Sequence, residues 1–169
     1  MNIRRLTESD APQFQALRLA ALVDKPEAFV TSHVEEKDLP LADFQARLVE
    51  RPGHAVFGAF DGDTLVGIAG LARETLLPTR HQGRIWGLYV ASAARGHGVA
   101  RTLLDAALAH ARTTPGMAKV TLSVDSANVA AIALYESLGF VVFAREADAI
   151  RLDGQSRDDL QMHLRFSAT

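Results

Sequence analysis

The chain has 169 residues and no cysteine, which excludes disulfides, thiolate metal sites and a cysteine nucleophile. A net charge of −2 gives no electrostatic case for binding nucleic acid or an anionic membrane. An apolar fraction of 48% fits one globular domain over 1–169; no stretch approaches the roughly 20 apolar residues of a membrane span, "MNIRRLTESD" has no leader-like apolar region, and a cytoplasmic protein is expected.

Asn2–Leu6 predicts a short strand. Asp10 reads as an N-cap, with Pro12 in the first turn and Gln13 three residues on. Phe14, Leu17, Ala21 and Leu22 share a helical face that carries a first helix to Val23. Asp24–Pro40 is irregular, with a helical turn near Phe29. Leu41, Phe44 and Leu48 mark a second helix, Leu41–Val49, closed by Pro52-Gly53. The period then changes. "HAVFGAF" (His54–Phe60) and "TLVGIAGLARE" (Thr64–Glu74) flank a hairpin turn at Asp61-Gly62-Asp63. After a second turn, Pro78–Gly83, the run Arg84–Val90 completes an antiparallel meander. A helix over Gly98–Arg112, a buried strand at Lys119–Val124 and a helix over Asn128–Leu138 follow, the last stopped by Gly139 at C′. "FVVF" (Phe140–Phe143) and the alternation of Leu160, Met162, Leu164 and Phe166 supply C-terminal strands. The order is mixed α/β.

The junction "ARGHGVA" (Ala94–Ala100) carries the strongest chemical signal. A helix N-terminus presents unpaired N–H groups and partial positive charge, and backbone amides wrap a phosphate only where side chains leave room. Gly96, Gly98 and Ala100 leave that room, and Arg95 adds a cation. A tight turn with close helix–sheet packing explains the same glycines without a ligand. A dinucleotide-binding βαβ unit is a third reading, with Asp125 as its ribose acid; against it, Arg101 stands where the third glycine belongs, and five residues separate Val90 from Gly96.

The segment "LYVASAARGHGVARTLLDAAL" (Leu88–Leu108) resembles the central motif of the GNAT acyl-CoA-dependent N-acetyltransferases, with Arg95, Gly98 and Ala100 at its defining places and Gly96 a common choice. "NVAAIALYESLGF" (Asn128–Phe140) resembles the next motif, through Asn128, Tyr135, Gly139 and Phe140. The resemblance covers essentially the whole chain. It implies a mostly antiparallel mixed sheet with helices on both faces and a splay between two central strands, Arg84–Val90 and Lys119–Val124. It implies acetyl-CoA as co-substrate, held by Leu88, Tyr89, Val90, Arg95, Gly96, His97, Gly98, Val99, Ala100, Arg101, Asn128 and Tyr135. The partners it implies are acetyl-CoA and an amine acceptor, with the protein a monomer or homodimer. Tyr135 takes the place of the acid that protonates the leaving thiolate. Two bland roles stand beside these: Asn128 as a helix N-cap, and Tyr135 as a packed aromatic.

An amine with a pKa near ~10.4 is ammonium at neutral pH and must lose a proton before it attacks a thioester. Many relatives carry a strand glutamate where this chain has Arg84. Glu74 is the first candidate for the missing base; Glu35, Glu36 and His81 are others, and water is a further route. Trp86 is either a wall of the acceptor pocket or core. The N-terminal helices and the loop around Phe29–Glu36 are expected to cover the acceptor site; acidic Glu35, Glu36 and Asp38 there would suit a cationic acceptor, with a merely solvated charge cluster as the bland reading. Six histidines show no metal-ligand spacing, so no metal is assigned. A catalytically silent acyl-CoA-binding module on the same fold is the rival reading.

Overall fold

Strands from the N-terminus, the middle and the last third of the chain build one seven-stranded sheet, in the order β1-β2-β3-β4-β5-β7-β6, numbered along the chain. The computed structural model describes residues 1–167. The strands are β1 (Asn2–Arg5), β2 (Ala55–Asp61), β3 (Thr64–Arg73), β4 (Gln82–Val90), β5 (Lys119–Asp125), β6 (Val141–Leu152) and β7 (Gln155–Arg165). The helices are α1 (Ala11–Asp24), α2 (His33–Glu36), α3 (Leu41–Leu48), α4 (Val99–Thr113) and α5 (Val129–Ser137). Among the described residues, no helix is long and apolar enough to cross a membrane.

Apolar stripes on the helices decide which face each covers. Phe14 and Leu17 of α1 and Phe44 of α3 pack with Ile68, Trp86 and Tyr89 on one face. Leu104 and Leu108 of α4 and Tyr135 of α5 pack with Ile85, Leu122 and Met162 on the other.

Two irregularities shape the centre of the sheet. β3 pairs Ile68 with Tyr89 but Gly70 with Trp86, so β4 carries one extra residue there. Gly87 absorbs it with φ of +65°, the left-handed region a bulge requires. The extra residue resets the alternation. Trp86 and Tyr89, three apart, both join the α1-side core, while Ile85 and Leu88 join the α4/α5 side. The second irregularity is a split. β4 and β5 run parallel, paired only at Gln82–Lys119, Gly83–Val120 and Arg84–Thr121. Beyond these, β4 stays on β3 as far as Val90 and β5 stays on β7 as far as Asp125, so the two central strands part.

Several expectations are corrected. Asp10 stands at the N-cap position of α1, but its side chain does not cap that helix; its Oδ2 accepts the Thr7 amide at 2.8 Å, closing a capping box whose N-cap is Thr7, while Arg4 grips both its oxygens. Gln13 instead reaches the β2–β3 hairpin, where Oε1 accepts the Leu65 amide. The C-terminal strands are much longer than "FVVF" and Leu160–Phe166. They form a hairpin turning at Asp153-Gly154, both at positive φ. Residues 141–148 of β6 are exposed, so no apolar period announced most of that strand.

A buried ion cluster fixes the loop between α1 and α3. Arg18 Nη2 donates to Glu36 Oε1 at 2.9 Å, Thr31 Oγ1 donates to the same oxygen at 2.7 Å, and Arg47 Nη1 donates to Oε2 at 3.1 Å. Burial pushes the Glu36 carboxyl up, but the hydrogen bonds from Arg18, Thr31 and Arg47 outweigh it and hold the group at about 2, below its ordinary 4.5. A depressed carboxyl contributes stability that is present above the ordinary value and lost as pH falls toward the folded one. Glu36→Gln is therefore expected to cost about 3 kcal/mol at pH 7 by leaving buried Arg18 unpaired. The deficit should shrink between pH 4.5 and about 2, as seen in denaturant melts across that range.

Candidate active site

The split between β4 and β5 opens into a cavity of about 720 Å³. β4 lines it with Arg84–Val90, β5 with Leu122–Asp125, and α5 with Asn128, Ala131, Leu134 and Tyr135. The segment after α1 adds Lys25, Glu27, Phe29 and Val30, and the β6–β7 side adds Ile150 and Asp159. A second cavity of about 260 Å³ sits at the start of α4, against Arg95, Gly96, Gly98, Val99, Ala100 and Arg101. Both are lined by Val90, Arg95, Ala100 and Leu134, so one path leads from the turn into the split.

The turn has the expected character. Gly96 and Gly98 take φ of +80° and +73°, and a Cβ at either would meet no atom of the protein within 4 Å. Conformation fixes these glycines, and the space they leave faces outward. The first helical N–H groups of α4 have no carbonyl a turn earlier to bond. Among the described residues, the Gly96, His97 and Gly98 amides also donate to no backbone carbonyl. Such a turn fits a phosphate group. In the split, the Ala91 amide donates to Val66 of β3, so strand alternation turns the Val90 and Leu88 amides toward the open side.

Four members of the expected set are placed differently. Arg95 is not a free cation at the entrance. It pairs with Asp24, donates from Nε to the Val90 carbonyl at 2.9 Å and lies over the Tyr89 ring. Tyr89 donates to the same Asp24 at 2.9 Å, so its side chain braces the turn while its backbone lines the split. Arg101 reaches across to Ser137 of α5 at 2.9 Å. The His97 side chain is exposed and lines neither cavity.

Asn128 and Tyr135, two helical turns apart, line the same cavity. Asn128 also caps α5, its Oδ1 accepting the Ala131 amide at 3.1 Å. Tyr135 is 7% exposed and packs edge-to-face on Phe140; burial pushes its phenol up to about 12. The group is thus protonated throughout the neutral range. Trp86 belongs to both alternatives, packed on the α1-side core and lining the cavity. Arg84 lines it as well.

The candidate bases fall elsewhere. Glu74 follows β3, its amide bonded to the Gln82 carbonyl at the closed end of the β4–β5 pair, outside the cavity lining. Glu35 caps Ser32, Glu36 is locked in the Arg18 cluster, and His81 is exposed. Asp38 is exposed beside Lys37. The acidic groups that do line the cavity are Glu27, Asp125 and Asp159, none of them among the candidates for a base or a cation site. Asp159 lies one residue before the apolar alternation used to place the last strand. Asp24 and Arg95 are far apart in sequence, and nothing local links them.

The acetyltransferase (GNAT) family profile matches residues 14–140. This chain belongs to that family. Curated GNAT relatives include a mycothiol acetyltransferase of Salinispora tropica, 45% identical over 58 residues, 34% of this chain and 19% of the relative. Another is the mycothiol acetyltransferase of Brachybacterium faecium, 29% identical across 83% of this chain and 46% of the relative. The N-alpha-acetyltransferase RimI of Mycobacterium tuberculosis is 39% identical over 60% of each chain. The chain thus spans less than half the length of the mycothiol acetyltransferases it matches. Among solved structures, yncA, a putative acetyltransferase from Salmonella typhimurium with its cofactor acetyl-CoA, superposes with a TM-score of 0.86 at 25% identity, over 100% of this chain and 95% of that one. The ribosomal-protein-alanine N-acetyltransferase of Brucella melitensis superposes at 0.83 with 27% identity, over 98% and 100%.

The cradle has a direct test. Gly98→Ala places a Cβ in open space at a strained φ, costing about 1–2 kcal/mol of stability without blocking folding. CoA affinity by calorimetry is expected to fall about tenfold or more, a loss of at least ~1.4 kcal/mol. Unchanged affinity in the folded variant removes the turn from the binding site.

Proposed function

We propose that the chain transfers the acetyl group of acetyl-CoA to a primary amine by direct attack, with both reactants bound together. The carrying observation is the continuous path from the amide-rich turn at Gly96–Ala100 to the buried Tyr135 hydroxyl. The turn and the Arg101 region hold the diphosphate, and the outward amides of Leu88 and Val90 receive the arm. Asn128 lines the same path. Bound there, acetyl-CoA supplies an activated acyl carbon and a thiolate leaving group.

What the protein adds is position and proton control. Two reactants held in one cleft gain much of the acceleration from orientation alone. The β4 amides beside the bulge stabilise negative charge on an acyl oxygen. Tyr135 donates to the departing sulfur. Its elevated pKa makes it a weak acid, but the burial that raises it also raises the basicity of a thiolate released into the same cleft. No covalent enzyme intermediate is needed, consistent with a chain that lacks cysteine. Glu27 and Asp159 among the lining residues favour a cationic acceptor. Arg84 in the cavity wall keeps a silent acyl-CoA-binding module as the second reading.

Thiol release from acetyl-CoA separates the two, with n-butylamine, spermidine, glucosamine and an alanine-leading peptide as acceptors. Turnover with at least one of them is expected; tight acetyl-CoA binding without turnover on any supports the silent module. Tyr135→Phe keeps the ring and removes the donor, so kcat should fall about 10²–10⁴-fold with cofactor affinity retained. A fall below about threefold returns Tyr135 to packing. Glu35→Gln, Glu36→Gln, Glu74→Gln and His81→Ala should each cost less than about tenfold, below the range of a positioned base.

A further inference from the structure

Asp159 sits on β7 directly opposite Asp125 of β5, so both side chains leave the same face of the sheet. That is the face of Trp86 and Phe29, since Leu160 and Met162 pack on the α4/α5 side. The two aspartates have opposite fates. Asp125 is fully engaged, with Arg157 on one oxygen and the Ala127 amide on the other at 2.8 Å. Asp159 is only 7% exposed, and its Oδ1 is buried without a hydrogen-bond partner among the described residues. A buried carboxylate oxygen with no donor is costly and calls for a missing partner. Asp159 lines the large cavity, so that partner has access from within it.

The surroundings specify its chemistry. Asp125 from β5, Glu146 from β6 and Asp158 from β7 face it with like charge, and Arg157 from β7 opposes them. Burial first, then those carboxylates, raise the Asp159 carboxyl above its ordinary value. Glu27, near Arg157, adds a further acid to the cavity wall. The missing partner is thus a cationic donor. Tyr135 belongs to the opposite side of the sheet, so an amine arriving at Asp159 and a thiolate leaving toward Tyr135 lie on opposite sides of the split.

We propose that Asp159 is the base of the transfer, receiving the acceptor's ammonium group and taking one of its protons. The inference rests on the transferase reading above. One ammonium N–H proton passes to the Asp159 carboxylate and later to water. The freed amine forms the new N–C bond as the acyl C–S bond breaks; the sulfur takes its proton from Tyr135, which regains one from the acylated nitrogen. The net products are an amide, a thiol and one proton. Desolvation in the cavity, whose wall carries Arg84, lowers the amine's own pKa toward that of its acceptor.

The test is the pH profile of kcat/KM for Asp159→Asn and Asp159→Glu, measured on whichever of the four named amines the wild type acetylates. Wild type should level off once Asp159 is ionised. The Asn variant should lose at least about a hundredfold at pH 7 and keep climbing toward the amine's own pKa, near ~10.4 for an alkylamine and near ~8 for a peptide α-amine. The Glu variant should keep the plateau. CoA affinity should be unchanged, and the Asn variant should melt no lower than wild type, because it removes an unpaired charge. A loss under about threefold with the plateau retained overturns the assignment. Loss of CoA binding or a lowered Tm in Asp159→Asn also overturns it, in favour of a structural role. Wild type that binds acetyl-CoA yet acetylates none of the four amines overturns the transferase reading, and Asp159 with it.

Discussion

Only three residue pairs join β4 to β5, and the site is organised around the place where they stop. A parallel pair deep in a sheet would ordinarily continue, because unpaired backbone groups in a protein interior are costly. Here each strand keeps its other neighbour, and the gap between them becomes a cleft lined by backbone on both sides. The bulge at Gly87 belongs to the same arrangement. By adding one residue to β4 it resets which side chains face α1 and which face α4, and it does so beside the amides that line the opening.

The two sides of the cleft have different chemical characters. The α4/α5 side carries the amide-rich turn, the Asn128 cap and the buried phenol of Tyr135. The α1 side carries Trp86, Phe29 and an acidic wall, with the loop above it fixed by the Arg18–Glu36–Arg47 cluster. Arg18 also lies over the Phe29 ring, tying that cluster to the cavity wall. Asp24, at the end of α1, reaches the Arg95 turn, so the two sides are mechanically joined. This division suits a reaction in which one reactant is held by its diphosphate and arm and the other by its charge.

Much of this was legible in the sequence wherever a side-chain period or a special backbone position left a mark. Phe14, Leu17, Ala21 and Leu22 fixed the inner face of α1, and Gly139 marked the end of α5. Gly96 and Gly98 marked the turn, although the reason that holds them is left-handed backbone as much as clearance. Gly87 was an available signal for the bulge, since glycine inside a strand weakens it unless a bulge or close approach needs it. The long hairpin of β6 and β7 was hidden because most of β6 is exposed and its residues follow no burial period. The carboxylates were the hardest to place. The residue pattern points to Glu74, Glu35 and Glu36 and gives no sign of Asp159; only the three-dimensional arrangement separates a strand end, a cap, an ion-pair member and a buried acid without a partner.

The account stands on the split as the seat of acetyl-CoA, and amide chemical shifts during an acetyl-CoA titration test that most directly. The expected result is a saturable shift of the Gly96–Arg101 amides together with those of Leu88 and Val90, leaving Gln82 and Gly83, where β4 and β5 are still paired, in place. Shifts confined to the turn, with Leu88 and Val90 unmoved at saturation, would contradict the account: acetyl-CoA would then be held by its diphosphate alone, and the cleft would have some other occupant.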